Sequence, residues 1–186
     1  MIEKSAKPTH VSKAFSRASA DIEITLATKL AARSFKRHFQ QLDSAFYVST
    51  KVLREQGRDE EASQVEKRIQ SLLVAFDTEL TQALEKFQEM VKNKRSSLVV
   101  GAVTFDGAEK LKAMVSTGFS VRLIQQFVAL DECLAKLQEL ELLGAISPED
   151  CTALSRSWFG RHRNALQALR DACTKKTISD DKEVTK

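Results

Sequence analysis

DEEASQVEKRIQSLLVAFDTELTQALEKFQEMVK, residues 59–92, is the stretch that decides the fold class of this protein. It opens with three acidic residues, which suit the positive end of a helix dipole. Its apolar residues then recur at steps of three and four, as on one face of an α-helix; they are Ala62, Val65, Ile69, Leu72, Phe76, Leu80, Ala83, Phe87 and Val91. About 34 helical residues would span roughly 50 Å. Because that exceeds the core of a small domain, we expect a hairpin with the preceding helix and partial packing on another subunit.

Helical spacing also dominates the sequence on both sides of this stretch. It predicts a helix over 28–56 that ends at Gly57, and a helix that Ser120 caps and Gly144 closes. Ser147-Pro148-Glu149-Asp150 is a strong start for a last helix. Gly (6) and Pro (2) are too few for the turns of an all-β fold. The sequence therefore predicts a mostly α fold, a helical bundle with a small β-ribbon.

The chain is predicted to form one helical domain over 21–175. Residues 1–20 are polar and predict a disordered arm, and the charged residues 176–186 predict a disordered tail. Ile22, Ile24 and Leu26 alternate with polar or small residues, which predicts a short strand.

A second strand is predicted over the β-branched residues 98–105. Asp106 and Glu109 have the spacing of a capping box, so we expect a short helix over 107–117 with Leu111, Met114 and Val115 facing inward. Residues 98–140 would then form a strand, a short helix, a turn and a longer helix.

The net charge of +4 is distributed in blocks along the chain. Basic blocks at 1–41, 86–122 and 151–176 alternate with acidic blocks at 42–85 and 123–150. Clustered Lys and Arg are typical of nucleic-acid binding. The alternative is a helical protein in which the blocks pair internally.

The sequence lacks the patterns of common catalytic and metal sites. It has no Walker loop, no Cys-x-x-Cys and no His-Glu-x-x-His. We therefore expect no enzymatic activity, no cofactor and no bound metal. Asp131, between Leu130 and Leu134, is interpreted as a buried cap or ion-pair partner. The three cysteines are predicted to be reduced, mostly buried thiols of a cytoplasmic protein, with no membrane-spanning helix and no signal peptide.

The predicted strand–helix–turn–helix order of residues 98–140 resembles the ribbon-helix-helix DNA-binding unit. Gly118-Phe119-Ser120 matches its Gly-x-Ser turn. The resemblance implies that two chains pair their strands into a ribbon that enters the major groove, with Ser120 and Arg122 at a phosphate. The strand departs from the pattern because Thr104 is its only side chain able to bond a base. A helix-turn-helix and a plain structural hairpin remain alternatives.

A wider resemblance covers roughly residues 22–170. The strand Ile24–Thr28 leading into Ala31-Ala32-Arg33, and Leu130-Asp131 followed by Leu143-Gly144-Ala145-Ile146, are similar to the AcaB-like transcriptional regulators of conjugative plasmids and integrating conjugative elements. The resemblance implies a sequence-specific DNA-binding regulator, an activator of conjugative transfer genes, with double-stranded DNA and RNA polymerase as partners. The alternative is a helical interaction or structural protein of a mobile element that does not bind DNA.

Assembly and DNA contact can also be predicted from the sequence. A lone strand at 98–105 leaves an unpaired edge, and with the long apolar stripe of 59–92 this predicts a homodimer. We expect the main DNA contact just before that strand, because no acidic residue lies between Met90 and Phe105. The contact residues are Lys92, Asn93, Lys94, Arg95 and Ser97, with Ser120 and Arg122 as a phosphate clamp. Reserve candidates are Lys29, Arg33, Lys36, Arg37, Arg161 and Arg163. The alternative role of the cations at 92–95 is to stabilise the C-terminus of a helix.

Overall fold

A computed structural model describes residues 18–96 and 103–174 of the chain. Within these ranges the order of elements is β1 (Ala20–Leu26), α1 (Lys29–Tyr47), α2 (Asp59–Arg95), β2 (Glu109–Val115), α3 (Gly118–Leu142) and α4 (Pro148–Thr174). The mostly α fold with a small two-stranded sheet confirms the predicted fold class. The predicted arm and tail lie outside the described residues, except for residues 18–20.

The helix predicted over 28–56 is confirmed, with a local change of winding. After α1, a π-helical turn (Val48–Val52) and one further helical turn (Leu53–Glu55) continue the chain to Gly57. The hydroxyls of Ser49 and Thr50 donate to the carbonyls of Ala45 and Phe46 at 2.7 Å each. These bonds compete with the regular backbone ladder, which favours a wider turn at this point. Gly57 has a φ of +76°, and it ends the helix as predicted.

The two strands pair antiparallel within one chain. Ala20 lies opposite Val115 and Leu26 lies opposite Glu109. The predicted strand at 22–26 is confirmed, and it begins two residues earlier than predicted. We call this pair of strands the ribbon.

The prediction for residues 103–117 is wrong. Residues 98–102 lie outside the described residues, 103–105 form no strand, and the predicted helix 107–117 is replaced by β2. Leu111, Ala113 and Val115 face inward at every second position, whereas Met114 is 41% exposed. The 98–140 strand–helix–helix unit, its helix-turn-helix alternative and the Asp106 capping box all fail with that helix. The physical reason is that seven residues fit either period, and pairing with the distant β1 selects the strand.

The junction between β1 and α1 is held by a carboxylate from α3. Asp131 accepts hydrogen bonds from the backbone N–H of Ala27 at 2.6 Å, from the backbone N–H of Thr28 at 2.8 Å and from the hydroxyl of Thr28 at 2.6 Å. Asp131 is buried. These contacts confirm its interpretation as a buried structural partner.

Two apolar clusters form the core. One lies under the ribbon, between α1, α3, α4 and the first half of α2, and includes Phe35, Phe46 and Phe127. The other lies between the second half of α2, α3 and the start of α4 and includes Leu80 and Leu134. The α2 stripe is therefore covered within one chain, with Leu73 rather than Leu72 fully buried. Packing of α2 on another subunit is not needed to bury it.

The cysteines are free, and two of the three are buried. Cys133 and Cys151 lie in the core and Cys173 is half-buried, as predicted. None of the helices in the described ranges is long and apolar enough to cross a membrane.

Candidate nucleic-acid interface

The ribbon has one apolar face and one polar face. Its inner face, which includes Ile24, Leu26, Ala113 and Val115, is buried against the helices. The side chains of its outer face are exposed; they are Asp21, Glu23, Thr25, Lys110, Lys112 and Met114. Strands of seven residues are about 23 Å long. A two-stranded ribbon of this kind fits the major groove of B-DNA.

Opposite charges face each other across the outer face of the ribbon. Glu23 lies opposite Lys112, and Thr25 lies opposite Lys110. Within the part of the chain that the structure describes, neither lysine forms an ion pair. Both ammonium groups are therefore available to an external acceptor.

A stripe of cations runs along the exposed side of α1 beside the ribbon. We call it the α1 basic stripe; it consists of Lys29, Arg33, Lys36 and Arg37. Their spacing places them within about 100° of the helix circumference. Lys36 forms an ion pair with Glu109 at the start of β2, so the stripe borders the ribbon. Lys29 stands in the first turn, where the helix dipole opposes a cation, so helix stability does not explain its position.

The predicted contact segment at the end of α2 is exposed except at Arg95, which is half-buried. Lys92, Asn93 and Lys94 are exposed on the last turns, and Ser97 lies outside the described residues. Arg95 donates from Nε to Glu139 Oε1 at 2.7 Å and also pairs through its terminal nitrogen at 2.6 Å. Although no acidic residue lies near Arg95 in the sequence, Glu139 on α3 neutralises it from 44 positions away.

The carboxylate of Glu139 is a buried structural anion. Its side chain is 5% exposed, and Lys136 Nζ lies 2.7 Å from its second oxygen. Burial alone would raise the pKa of Glu139, but hydrogen bonds from Lys136 and Arg95 outweigh burial and lower it. Glu139 is therefore ionised, and Arg95 joins the end of α2 to α3.

Both side chains of the predicted phosphate clamp are bound to carboxylates of this chain. Ser120 is fully buried, and its hydroxyl donates to Asp43 Oδ1 at 2.6 Å. Thr117, not Ser120, caps α3, since its hydroxyl accepts from the backbone N–H of Ser120 at 3.2 Å. Arg122 donates to Asp77 at 2.9 Å. In this arrangement neither predicted side chain is free to hold a phosphate.

The reserve candidates near the C-terminus lie on α4. Arg161 stacks over Trp158, 5.0 Å from the ring centroid, and lies 3.7 Å from Glu79. Arg163 is exposed. Arg161 thus has two local partners, whereas Arg163 faces solvent.

Sequence analysis missed the lysines of β2. Lys110 and Lys112 lie on the outer face because β2 is a strand, whereas the predicted helix assigned them no role. The signal that would have found them is the strict alternation from Glu109 to Val115, in which every second residue is polar or Met.

Among the described residues, the imidazole of His162 is a buried titratable ring without a hydrogen-bond partner. His162 is fully buried against the rings of Phe76 and Phe127, at 5.5 and 4.7 Å between centroids. Neither of its ring nitrogens has a partner, and burial lowers its pKa to about 3. The imidazole is therefore neutral near pH 7. In the described ranges no group of three or more His, Cys, Asp or Glu residues could hold a metal ion.

Comparison with known proteins adds a likeness of fold. No protein-family profile and no curated protein sequence matches the chain. Among solved structures, selenomethionine-containing AcaB from uropathogenic E. coli superposes with a TM-score of 0.76 at 14% identity, over 85% of this chain and 80% of that chain. The protein has an AcaB-like fold. This likeness of fold agrees with the AcaB-like resemblance found in the sequence.

Proposed function

We propose that this protein is a DNA-binding transcriptional regulator that contacts duplex DNA with the outer face of the ribbon and the α1 basic stripe. The observation that carries the proposal is a groove-sized ribbon with a polar outer face, bordered by a row of cations. The AcaB-like fold supports it, since the sequence resemblance implies a regulator for that family.

The outer face of the ribbon and the α1 basic stripe would have different roles in DNA recognition. Lys110 and Lys112 can donate to the O6 and N7 acceptors of guanine in the major groove. The hydroxyl of Thr25 can form a hydrogen bond with any base pair. The α1 basic stripe would contact phosphates, which fix position and add affinity without reading sequence.

The starts of the other helices indicate which sides of the molecule face away from DNA. The first turn of α2 contains Asp59, Glu60 and Glu61, and that of α4 contains Glu149 and Asp150. These carboxylates would repel phosphates. The ribbon side is thus the electrostatically favourable face.

The finer functional predictions are carried by the resemblance. They are activation of conjugative transfer genes and contact with RNA polymerase. The cytoplasmic location, predicted from the cysteines, also stays a prediction. Lys92, Asn93, Lys94 and Ser97 remain predicted DNA contacts.

The homodimer also stays a prediction. Its strand argument concerned residues 98–105, of which 98–102 lie outside the described residues and 103–105 form no strand. Its other argument is weakened, because the α2 stripe is covered within one chain. Light scattering at micromolar concentration tests it directly.

The proposal is tested by fluorescence anisotropy with labelled duplex DNA over a range of salt concentrations. Counterion release predicts that log K falls with log salt, at a slope of about −0.9 per neutralised phosphate. Lys29→Ala with Arg33→Ala should make that slope shallower by about two. The matched control, Lys67→Ala with Arg68→Ala on the exposed side of α2, removes the same charge elsewhere and should leave the slope unchanged.

Two results would overturn the proposal. One is the absence of binding to any duplex at ~50 mM salt by a folded protein, which would favour the helical interaction protein instead. The other is an equal effect of the stripe variant and its control, which would place the DNA surface elsewhere.

A further inference from the structure

The chain contains one strand–helix–helix arrangement twice. β1, α1 and α2 form the first, and β2, α3 and α4 form the second. The starts of the strands (Ala20 and Glu109), their ends (Leu26 and Val115) and the two helix caps (Thr28 and Thr117) are each 89 positions apart. Glu23 and Lys112, the middle residues of the two strands, lie opposite each other. A local twofold axis therefore passes through this central pair.

The inner face of the ribbon keeps this symmetry in its chemistry. Equivalent inner positions are apolar in both strands; they are Ile22 and Leu111, Ile24 and Ala113, and Leu26 and Val115. The core beneath the ribbon requires apolar contact from both halves, which accounts for the similarity.

The outer face breaks the symmetry at every equivalent position. The pairs are Asp21 and Lys110, Glu23 and Lys112, and Thr25 and Met114. Two of the three pairs have opposite charge, and the third replaces a hydroxyl with a thioether. Core packing does not explain this difference, because these side chains are exposed to solvent.

The two ends of the ribbon consequently differ in charge. At one end Thr25 lies opposite Lys110, close to Lys29 and Arg33 in the first turns of α1; we call this the basic end. At the other end Asp21 lies opposite Met114; we call this the acidic end.

The first turns of α3, which follows the acidic end, lack the free cations found in the first turns of α1. α3 has Gly118 where α1 has Lys29. Its Arg122, the equivalent of Arg33, is bound to Asp77. Arg33 forms no ion pair, so among residues 18–96 and 103–174 the cations without an ion pair beside the ribbon lie at the basic end.

We propose that the ribbon binds a DNA element without twofold symmetry, in a single orientation. This inference rests on the proposed function and states which class of duplex site the ribbon recognises. At the basic end, Lys110 can donate to O6 and N7 of guanine, and the α1 basic stripe can bind the neighbouring phosphates. At the acidic end, Asp21 can accept a hydrogen bond from the amino group of cytosine, and Met114 can pack against the methyl group of thymine.

The test begins with selection of binding sites from random duplexes by the full chain. The selected consensus is trimmed to the shortest duplex that binds one chain, and each half is then inverted to make two symmetric duplexes. Both symmetric duplexes should bind about ten-fold or more weakly than the selected one, since mismatched base pairs typically lower affinity by such factors. Equal binding of a symmetric duplex would overturn the inference.

A variant that makes the two ends alike gives a second, independent test. Asp21→Lys with Met114→Thr places the basic end's side chains at both ends, on exposed positions that the fold tolerates. This variant should prefer the symmetric duplex built from the half that the basic end contacts. Glu85→Lys with Thr81→Ala, on the exposed side of α2, is the control for added charge and should keep the original preference.

The outcomes separate this inference from the proposed function. Salt-dependent binding with a symmetric consensus, or with no sequence preference, would overturn the inference and leave DNA binding intact. Absence of binding to every duplex would overturn both. A non-symmetric consensus whose preference the double variant shifts supports both.

Discussion

Asp43 and Asp131 each hold the strand–helix junction that belongs to the other half of the chain. Asp131 on α3 accepts from Ala27 and Thr28, where β1 turns into α1. Asp43 on α1 accepts from the backbone and hydroxyl of Ser116 at 2.8 Å each, and from Ser120, where β2 turns into α3. Both carboxylates are buried. The reciprocal contacts fix the ribbon against its two supporting helices, so the outer face is presented on a rigid base.

Removal of one of these carboxylates should destabilise the protein. Asp131→Ala leaves the buried N–H of Thr28 without an acceptor, and we expect a loss of about 2–4 kcal/mol in the free energy of unfolding. Glu89→Ala, on an exposed position of α2, is the control and should change it by less than ~0.5 kcal/mol. Urea titration followed by circular dichroism measures both. Similar values for the two variants would contradict the structural role of Asp131.

Truncation of the core on α3 should cost much more than truncation at its surface. Leu134 is 1% exposed, so Leu134→Ala should lower the free energy of unfolding by ~2–5 kcal/mol. Leu142, 68% exposed on the same helix, is the matched control, and Leu142→Ala should have an effect within ~0.5 kcal/mol. Chemical denaturation distinguishes them. If Leu134→Ala is as mild as its control, the inward side of α3 is assigned incorrectly.

Stability should fall in acid because of a buried imidazole. The pKa of His162 is lowered from 6.5 in a free side chain to about 3 by burial, so the unfolded chain takes up this proton first. The contribution is complete above pH 6.5 and is lost progressively as the pH falls toward 3, with a slope approaching ~1.4 kcal/mol per pH unit. The lowered pKa of His38, from burial and nearby Arg170, acts in the same direction.

His162→Leu should flatten this pH dependence between pH 4 and 6.5, because it removes the ring that cannot be protonated in the folded state. Urea titrations at a series of pH values provide the measurement. His10→Leu serves as a control for the loss of a histidine. An unchanged slope in His162→Leu would show that other groups cause the acid sensitivity.

At the end of α2, substitution of Arg95 should affect stability, whereas substitution of Lys92 should affect DNA binding. Arg95→Ala removes a partner of buried Glu139, and we expect about 1–3 kcal/mol of destabilisation with unchanged DNA affinity of the folded protein. Lys92→Ala should leave the melting temperature unchanged and make the salt dependence of DNA binding shallower. Thermal melts and anisotropy on the same samples test both. Weakened DNA binding in Arg95→Ala at full stability would restore Arg95 as a contact residue.

The sequence determined the elements whose patterns are long or locally complete. The apolar repeat from Ala62 to Val91 extends over about eight turns, so it admits only a helix. Ser147-Pro148 marks the start of α4 by local capping chemistry. The alternation from Ile22 to Leu26 predicted β1. Asp131 was assigned correctly as a buried partner because a carboxylate within an apolar stripe has to find donors.

Tertiary structure alone decided the features that matter most for the site. Leu111, Met114 and Val115 fit a helix, while Leu111, Ala113 and Val115 fit a strand, and only pairing with β1 selects the second pattern. Arg95 and Glu139 are 44 positions apart, so no local window shows that the cation is neutralised. Residues so far apart meet only when the helices pack. Local periodicity therefore determined the helices and β1, whereas long-range pairing decided where β2 lies and which charges remain free to bind.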